Sequence, residues 1–231
     1  MVFSLDFFIV NFPVVLQAVP LTLGIALASV ILSTLFGAIL AVIKIKRIPV
    51  LYPIASIFMS FSRSVPNLAV LYFLYFAFPY FVGALRGDYS IALGANKLNP
   101  NLVAIITFTI TFSVYFAEVF RSAYYSVDKG QFEAAWSIGL PTRTYLRRII
   151  FPQATIQALP NYTSVVIDLI KDTSLVYTIS VMDIMGKATF VAARGFHYID
   201  AYLIAFVIYL IICFTISKSL RYLEVKLSCY R

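Results

Sequence analysis

Residues 21–43 read LTLGIALASVILSTLFGAILAVI, an uncharged stretch that decides the fold class. A hydrocarbon layer about 30 Å thick is crossed by roughly 20 mostly apolar residues in a helix. The chain as a whole is 61% hydrophobic and 12% charged, with a mean hydropathy of +0.91. A soluble domain of 231 residues cannot bury that much apolar surface. The sequence therefore predicts an all-α polytopic membrane protein, and the long continuous apolar runs disfavour a membrane β-barrel.

Five apolar stretches predict five membrane-spanning helices. Pro13 and Pro20 interrupt the first stretch, so residues 1–20 are expected to form an interfacial segment on the membrane surface. Residues 1–231 then form one transmembrane domain, without a soluble domain or an internal repeat. The predicted spans lie near residues 21–43, 53–80, 101–122, 152–175 and 199–221.

The positive charges predict the orientation of these spans. With the N-terminus outside, twelve Lys and Arg residues lie in inside segments and four lie in outside segments. The positive-inside rule therefore favours N-out and C-in, and it explains the net charge of +8 without nucleic acid as a partner. This orientation places Tyr80–Pro100 and Tyr177–Tyr198 outside, and makes residues 123–151 a cytoplasmic loop between two spans. The inside positive residues are Lys44, Lys46, Arg47, Arg121, Lys129, Arg143, Arg147, Arg148, Lys218, Arg221, Lys226 and Arg231, and the outside ones are Arg86, Lys97, Lys187 and Arg194.

The cytoplasmic loop contains a short helix followed by a tight turn. Gly139 is expected to end this helix, and Pro141 to precede the start of the next one. Phe132 and Trp136 lie four residues apart as two aromatic anchors, which suits insertion into a groove on a partner. A surface helix lying on the membrane is the alternative interpretation. The helix is read from Gln131, Phe132, Glu133, Ala134, Ala135, Trp136, Ser137, Ile138 and Gly139.

The loop resembles the EAA loop of permeases of ABC importers. The resemblance rests on Glu133-Ala134-Ala135, then Gly139, Ile149 and Pro152 at full family spacing, with Phe151 where the family often has Leu. Two flanking stretches, 117–121 and 169–175, resemble polar amino-acid permeases, so the likeness covers nearly the whole chain. The resemblance implies the type I ABC importer permease fold and a multi-pass location in a prokaryotic cytoplasmic membrane.

The same resemblance implies the partners. The chain is expected to form half of a two-permease pathway, as a homodimer or with a similar chain, and to work by alternating access. ATP and magnesium are expected on two separate ATPase subunits, since this sequence has no G-x-x-x-x-G-K-[ST] loop and is not expected to be an enzyme. An extracytoplasmic solute-binding protein is expected to deliver the substrate. The ATPase-docking residues implied by the resemblance are Gln131, Phe132, Glu133, Ala134, Ala135, Trp136 and Gly139.

The expected substrate is a polar amino acid, and three stretches are similar to cystine-type permeases. These are Leu159-Pro-Asn-Tyr, Ile167-Asp-Leu and 180–186, which reads SVMDIMG. They make cystine a candidate substrate. The alternative class of function is a gradient-driven carrier or channel that acts without an ATPase.

Polar residues within the spans indicate a substrate pathway. Charged groups in a membrane usually face a bundle interior or a cavity. Asp168 and Arg63 alternatively pair with each other or with a second subunit, and Lys171 with Asp172 alternatively caps a helix end. Glu118 and Arg121 are expected to form a structural ion pair. The predicted pathway residues are Arg63, Ser64 and Asn67 in the second span and Asn161, Ser164, Asp168 and Asp172 on one face of the fourth.

No metal site or catalytic group is expected. His197 is the single histidine, and no cysteine or carboxylate partner is assigned to it at metal-ligand spacing. No nucleophile with a base, and no pair of catalytic carboxylates, is recognised in the sequence.

Overall fold

The computed structural model describes residues 4–86 and 98–228, and within these ranges the chain is helical without a strand. This confirms the predicted all-α class. Much of the predicted outside segment Tyr80–Pro100 lies outside the described residues. In chain order the helices are α1 (Leu5–Leu16), α2 (Val19–Lys46), α3 (Leu51–Ser64), α4 (Asn67–Arg86), α5 (Pro100–Tyr125), α6 (Lys129–Ser137), α7 (142–172), α8 (Ile184–Ala193) and α9 (Tyr198–Ser228).

The chain enters the fold through α1, a helix separate from α2. Ser4 is its N-cap, and the Ser4 hydroxyl accepts a hydrogen bond from the Phe7 backbone N–H at 3.3 Å. This satisfies one of the amide groups left free at a helix start. Pro20 lies in the first turn of α2, where a missing N–H costs nothing. The predicted interfacial segment, residues 1–20, thus contains a complete short helix and the first residues of the next.

A proline divides the second predicted span into two helices. α3 ends at Ser64, Val65 is extended, and α4 begins directly after Pro66. A proline disfavours the helical conformation of the residue before it, which explains the break at Val65. The extended Val65 interrupts the helix, so the region 53–80 is not one continuous helix.

Two π-helical turns each precede a proline by a few residues. Phe73–Ala77 in α4 lies just before Pro79, and Leu146–Ile150 in α7 lies just before Pro152. A proline ring clashes with the carbonyl four residues earlier in a regular helix. The wider π turn moves that carbonyl away, so both helices continue through their prolines without a break.

The most extensive helix contact in the described chain is between α2 and α5. Ser33 donates a hydrogen bond to the Phe108 carbonyl at 3.2 Å. A Cβ added at Gly37 would lie 2.7 Å from the Cβ of Phe116 and 2.8 Å from the Ser113 carbonyl. Small residues allow helix backbones to approach closely where water supplies no driving force. The buried small residues of this α2 face are Ala26, Ser29, Ser33, Gly37 and Ala41.

The predicted outside segment Tyr177–Tyr198 is not an open loop. It begins in the 3-10 turn Thr173–Ile179, turns at Ser180 with φ of 68°, and forms α8. α8 packs against α1 and α9, and Ile184 and Ala188 are fully buried. Lys187 within this short helix and Arg194 directly after it concealed its apolar face in the sequence.

Four described helices are long and apolar enough to cross a membrane. They are α2, α4, α5 and the stretch Tyr198–Leu227 of α9. The helix that contains the fourth predicted span, α7, is not among them. It carries Asp168, Lys171 and Asp172 near its C-terminal end.

Candidate functional site

The short helix predicted in the cytoplasmic loop is present as α6, and it begins two residues earlier than predicted. Asp128 caps it by accepting a hydrogen bond from the Gly130 backbone N–H at 2.7 Å. Gly139 follows the helix with φ of +68°, a conformation that glycine adopts without steric cost. The Leu140 N–H then donates to the Ala135 carbonyl at 3.0 Å, which completes the turn. Pro141 precedes α7, as the sequence predicted.

One face of α6 packs against the rest of the chain, and the other face is exposed. Ala135 is buried against a small cluster that includes Val127 and Ile150. The Trp136 indole N–H donates to the Tyr145 hydroxyl at 3.3 Å, yet the Trp136 residue is 61% exposed. Ile138 is 74% exposed. Large apolar side chains that a fold holds in place but leaves uncovered are typical of a surface that contacts a partner. Of the other predicted docking residues, Phe132 is half-buried and Gln131, Glu133, Ala134 and Gly139 are exposed.

An ion cluster lies where α5 approaches α3. Arg121 bonds to a carboxylate oxygen of Glu118 through Nε at 2.8 Å and Nη2 at 2.7 Å. Arg63 reaches the other oxygen of Glu118 at 3.9 Å and donates from Nε to the Met59 carbonyl at 3.3 Å. The predicted Glu118–Arg121 pair is therefore present. Glu118 holds two positive charges, and Arg63 is the more loosely bound of the two.

A cavity of about 170 Å³ lies between α4, α5 and α7. Its wall is part apolar and part acidic. The Asn67 side-chain amide donates a short hydrogen bond to the Asp172 carboxylate, which links α4 to the end of α7. Phe112 and Tyr115 place their ring centroids 5.6 Å apart on the α5 side. The lining residues are Asn67, Phe112, Tyr115, Val165, Asp168 and Asp172.

The structure brings some of the predicted pathway residues together and separates others. Asn67, Asp168 and Asp172 share the cavity. Ser64 does not line it, and its hydroxyl donates to the Ser60 carbonyl on its own helix at 2.9 Å. Arg63 lies in the ion cluster instead. Earlier in α7 than Asp168, Asn161 and Ser164 are exposed and do not line the cavity.

The ion pair of Arg63 with Asp168 that the sequence allowed is not formed within the described chain, where Arg63 pairs with Glu118. This difference depends on the relative positions of α3, α5 and α7. Lys171 pairs with Asp168 at 3.3 Å, one turn earlier in the helix, as residues three apart on a helix face each other.

A buried carboxylate that the sequence did not single out joins α8 to α9. Asp183 is fully buried and caps α8, accepting from the backbone N–H groups of Gly186 at 2.8 Å and Met185 at 3.2 Å. The Tyr209 hydroxyl of α9 donates to it at 3.1 Å. Aspartate at an N-cap position, followed by the apolar face of α8, was the signal that could have revealed it.

The single histidine does have a carboxylate partner, contrary to the expectation from sequence. His197 Nδ1 lies 2.9 Å from Asp200, whose other oxygen accepts from the Ser4 backbone N–H at 3.1 Å. Phe7 stacks on the imidazole at a centroid distance of 4.5 Å. Within residues 4–86 and 98–228 no group of three or more His, Cys, Asp or Glu side chains forms a candidate metal site. This junction therefore fastens α1 to the start of α9.

Residues 33–227 match the family described as "Binding-protein-dependent transport system inner membrane component". The chain belongs to this family. It is accordingly a multi-pass component of a bacterial inner membrane, and the predicted resemblance to amino-acid permeases of ABC transporters is confirmed. The family works with separate ATPase subunits and a binding protein.

Individual relatives are similar in sequence to most of this chain. The chain is 35% identical over 217 residues to the "Probable amino-acid permease protein YxeN" of Bacillus subtilis, covering 93% of this chain and 92% of that protein. It is 34% identical over 197 residues to the "L-cystine transport system permease protein TcyL" of the same organism, covering 85% and 80%. The crystal structure of an amino acid ABC transporter with histidines superposes with a TM-score of 0.84 at 25% identity, over 98% of this chain and 100% of that one. The fold is therefore the type I ABC permease fold.

Proposed function

We propose that this chain is the permease subunit of an ATP-driven amino-acid importer and forms half of its translocation pathway by alternating access. The relatives described as amino-acid permeases support the substrate class, and the similarity to an L-cystine permease keeps cystine as a candidate within it. A second permease, as another copy or a similar chain, supplies the other half. Two ATPase subunits on the cytoplasmic side and a solute-binding protein outside complete the assembly.

The observation that carries this proposal is the form of α6. The helix is short, capped at Asp128 and ended at Gly139, and it presents Trp136 and Ile138 to solvent. One exposed tryptophan and one exposed isoleucine on a short, slim helix suit insertion into a groove on another protein. The ATPase is the partner that this exposed surface is proposed to bind.

The position of α6 favours transmission of movement into the spans. α6 is joined to α5 through residues 126–128 and to α7 through the turn at Gly139. The aromatic contacts of Phe132 with Tyr124 and Tyr145, at centroid distances of 5.7 and 6.3 Å, attach it to both neighbours. A force applied to α6 therefore reaches two helices at once, as rigid-body alternating access requires.

The proposed topology has five spans with N-out and C-in, with α7 as the span between α5 and α9. α7 is the least apolar of the five, which fits a helix whose charged end lines a cavity. The excess of positive residues at the cytoplasmic ends supports this orientation.

The test is uptake by proteoliposomes that contain this chain, a second permease copy or its partner chain, and the co-purified ATPase, with the solute-binding protein added outside. The proposal predicts uptake of labelled amino acid that requires ATP, and no uptake by this chain alone. Glu133→Lys reverses an exposed charge on α6. It should leave the ATPase bound but uncouple ATP hydrolysis from uptake. Glu133→Gln is the size-matched control and should retain most uptake. Gradient-driven uptake by this chain without an ATPase would establish the carrier alternative instead.

A further inference from the structure

The corner between α2 and α3 carries positive charge that no acidic side chain neutralises. Lys44 and Lys46 lie in the last turn of α2, and Arg47 follows as its C-cap. The sequence contains no Asp or Glu between Asp6 and Asp88. None of the three basic side chains forms an ion pair within residues 4–86 and 98–228. An anion that neutralises this corner must therefore come from elsewhere.

The three basic side chains are held differently. The Lys44 ammonium lies 4.4 Å from the centroid of the Tyr52 ring and donates to the Ser56 hydroxyl at 2.8 Å. These contacts attach the end of α2 to the first turns of α3. Lys46 and Arg47 are exposed, and no contact of either side chain is formed in the described part of the chain. Lys44 therefore fixes the corner, and Lys46 and Arg47 are the charges that an external anion can reach.

One face of α3 is apolar and exposed from its first turn to its last. The opposite face buries Ala55, Met59 and Ser62, and Met59 packs against Val114 and Ala117 of α5. The exposed apolar residues recur every three or four positions, so they form one stripe along the helix. This α3 stripe consists of Leu51, Ile54, Ile57 and Phe61, with exposed fractions between 46% and 72%.

The chain places the basic corner at one end of the α3 stripe. Arg47 has φ of 48°, which reverses the chain directly after α2, and the Tyr52 N–H already donates to the Ile48 carbonyl at 2.9 Å. α3 has 14 residues and is therefore about 21 Å long. One leaflet of the hydrocarbon layer is about 15 Å deep. The α3 stripe thus covers the depth of one leaflet, with exposed positive charge at the end where the chain turns.

We infer that this corner binds an anionic phospholipid of the cytoplasmic leaflet, with its phosphate on Lys46 and Arg47 and an acyl chain along the α3 stripe. The inference rests on the proposed N-out, C-in topology, which places the corner at the cytoplasmic surface. Basic side chains at this surface attract acidic headgroups, and each contributes about fivefold in affinity, equivalent to about 1 kcal/mol.

The charge of the corner favours a lipid over a second permease as the occupant of the α3 stripe. A symmetric dimer presents the same surface patch from both copies. A second copy packed on the stripe would add its own Lys44, Lys46 and Arg47 to the interface, again without an acidic side chain to neutralise them. An anionic phospholipid supplies both the missing negative charge and an apolar chain of the right length.

The test is a lipid titration of the purified, delipidated permease–ATPase complex, followed by native mass spectrometry. The probes are phosphatidylglycerol and phosphatidylcholine with identical acyl chains. The unaltered complex should bind phosphatidylglycerol more tightly. Lys46→Gln combined with Arg47→Gln should reduce that preference by about 10- to 25-fold, from two contributions of about fivefold each. Both side chains are exposed, so the variant removes no core contact.

A charge-matched control lies at the C-terminal end of α9. Lys218→Gln combined with Lys226→Gln removes two positive charges from the same proposed side of the membrane, in a segment where Glu224 already opposes an anion. This variant should retain the preference to within about twofold. A phosphatidylglycerol with a diazirine at the end of its acyl chain then locates the chain, and its crosslinks should fall within α3 around Ile57 and Phe61.

Three outcomes would overturn the inference. One is equal affinity of the unaltered complex for the two lipids. Another is an equal loss of preference in the α9 variant, which would show general attraction to the basic surface and no site at the corner. The third is crosslinking to other helices without any to α3, which would indicate that a second permease covers the stripe. ATP-dependent amino-acid uptake by the same preparation tests the proposed function separately, since lipid preference can be measured without transport.

Discussion

Replacement of Gly37 tests how closely α2 and α5 must approach. The Cβ of Gly37→Ala would lie 2.7 Å from the Cβ of Phe116, 2.8 Å from the Ser113 carbonyl and 3.0 Å from the Ala117 backbone nitrogen. Ordinary contact begins at 3.4 Å, so the nearest atom is about 0.7 Å too close. Two of these three neighbours are backbone atoms, which cannot rotate away. α2 and α5 must therefore move apart where Gly37 faces Phe116.

The energetic consequence is an overpacked interface. Extra methyl groups forced into a well-packed core cost about 1–3 kcal/mol. Alanine gains up to about 1 kcal/mol over glycine in an exposed helix interior, but a helix within a bilayer is already formed before it packs, so little of that gain applies. Gly37→Ala should therefore destabilise the permease by about 1–3 kcal/mol.

Gly24 supplies the matched control on the same helix, because a Cβ added there meets nothing within 4 Å. The assay is the loss of monodisperse protein by size-exclusion chromatography after heating in detergent. Gly37→Ala should lower the midpoint by about 2 to 12 °C relative to Gly24→Ala, at about 2–4 °C per kcal/mol. Equal midpoints for the two variants would show that α2 and α5 are not in the close contact described here.

Three further substitutions test other parts of the fold. Gly139→Val should strain the turn after α6, because a β-branched residue disfavours φ of +68°, and should reduce co-purification of the ATPase with unchanged yield of the permease; wild-type co-purification would contradict the docking role. Asp183→Ala removes a helix cap and the partner of Tyr209. The cost of about 2 kcal/mol should lower the heating midpoint by about 4 °C or more. Asp6→Ala, at an exposed position, should leave the midpoint unchanged. His197→Ala should increase proteolytic cleavage near the N-terminal end of α1 by loosening its junction with α9, and unchanged cleavage would show that the Ser4–Asp200 bond suffices alone.

The features that the sequence predicted well are those encoded locally. The uncharged stretch at residues 21–43 indicated a helix without any knowledge of its tertiary contacts. The backbone preferences of Gly139 and Pro141 indicated a turn. The Glu118–Arg121 pair follows from spacing on one helix. The form of α6 could therefore be predicted before its surroundings were known.

The features that could not be predicted depend on contacts between distant segments. Nothing near Asp172 in sequence identifies Asn67 as its partner, because the two residues are 105 positions apart. The burial of α8 was hidden for a related reason. Lys187 and Arg194 gave this short segment the composition of an exposed loop, while its Ile184 and Ala188 find their partners on α1 and α9.

The contacts also explain why the polar groups of the second predicted span belong to two different parts of the molecule. Arg63 ends α3 and binds Glu118 on α5, the helix that leads to α6. Asn67 begins α4 and binds Asp172 at the cavity. The break at Val65–Pro66 lies between them, so it separates a residue bound to α5 from a residue bound at the cavity. The Arg63–Glu118 ion pair is the longer of the two ion pairs of Glu118, at 3.9 Å, compared with 2.7 Å for Arg121–Glu118. If α6 and α5 move together, Arg63 is the contact that yields first, and the proline break is the place where α3 and α4 can change their angle.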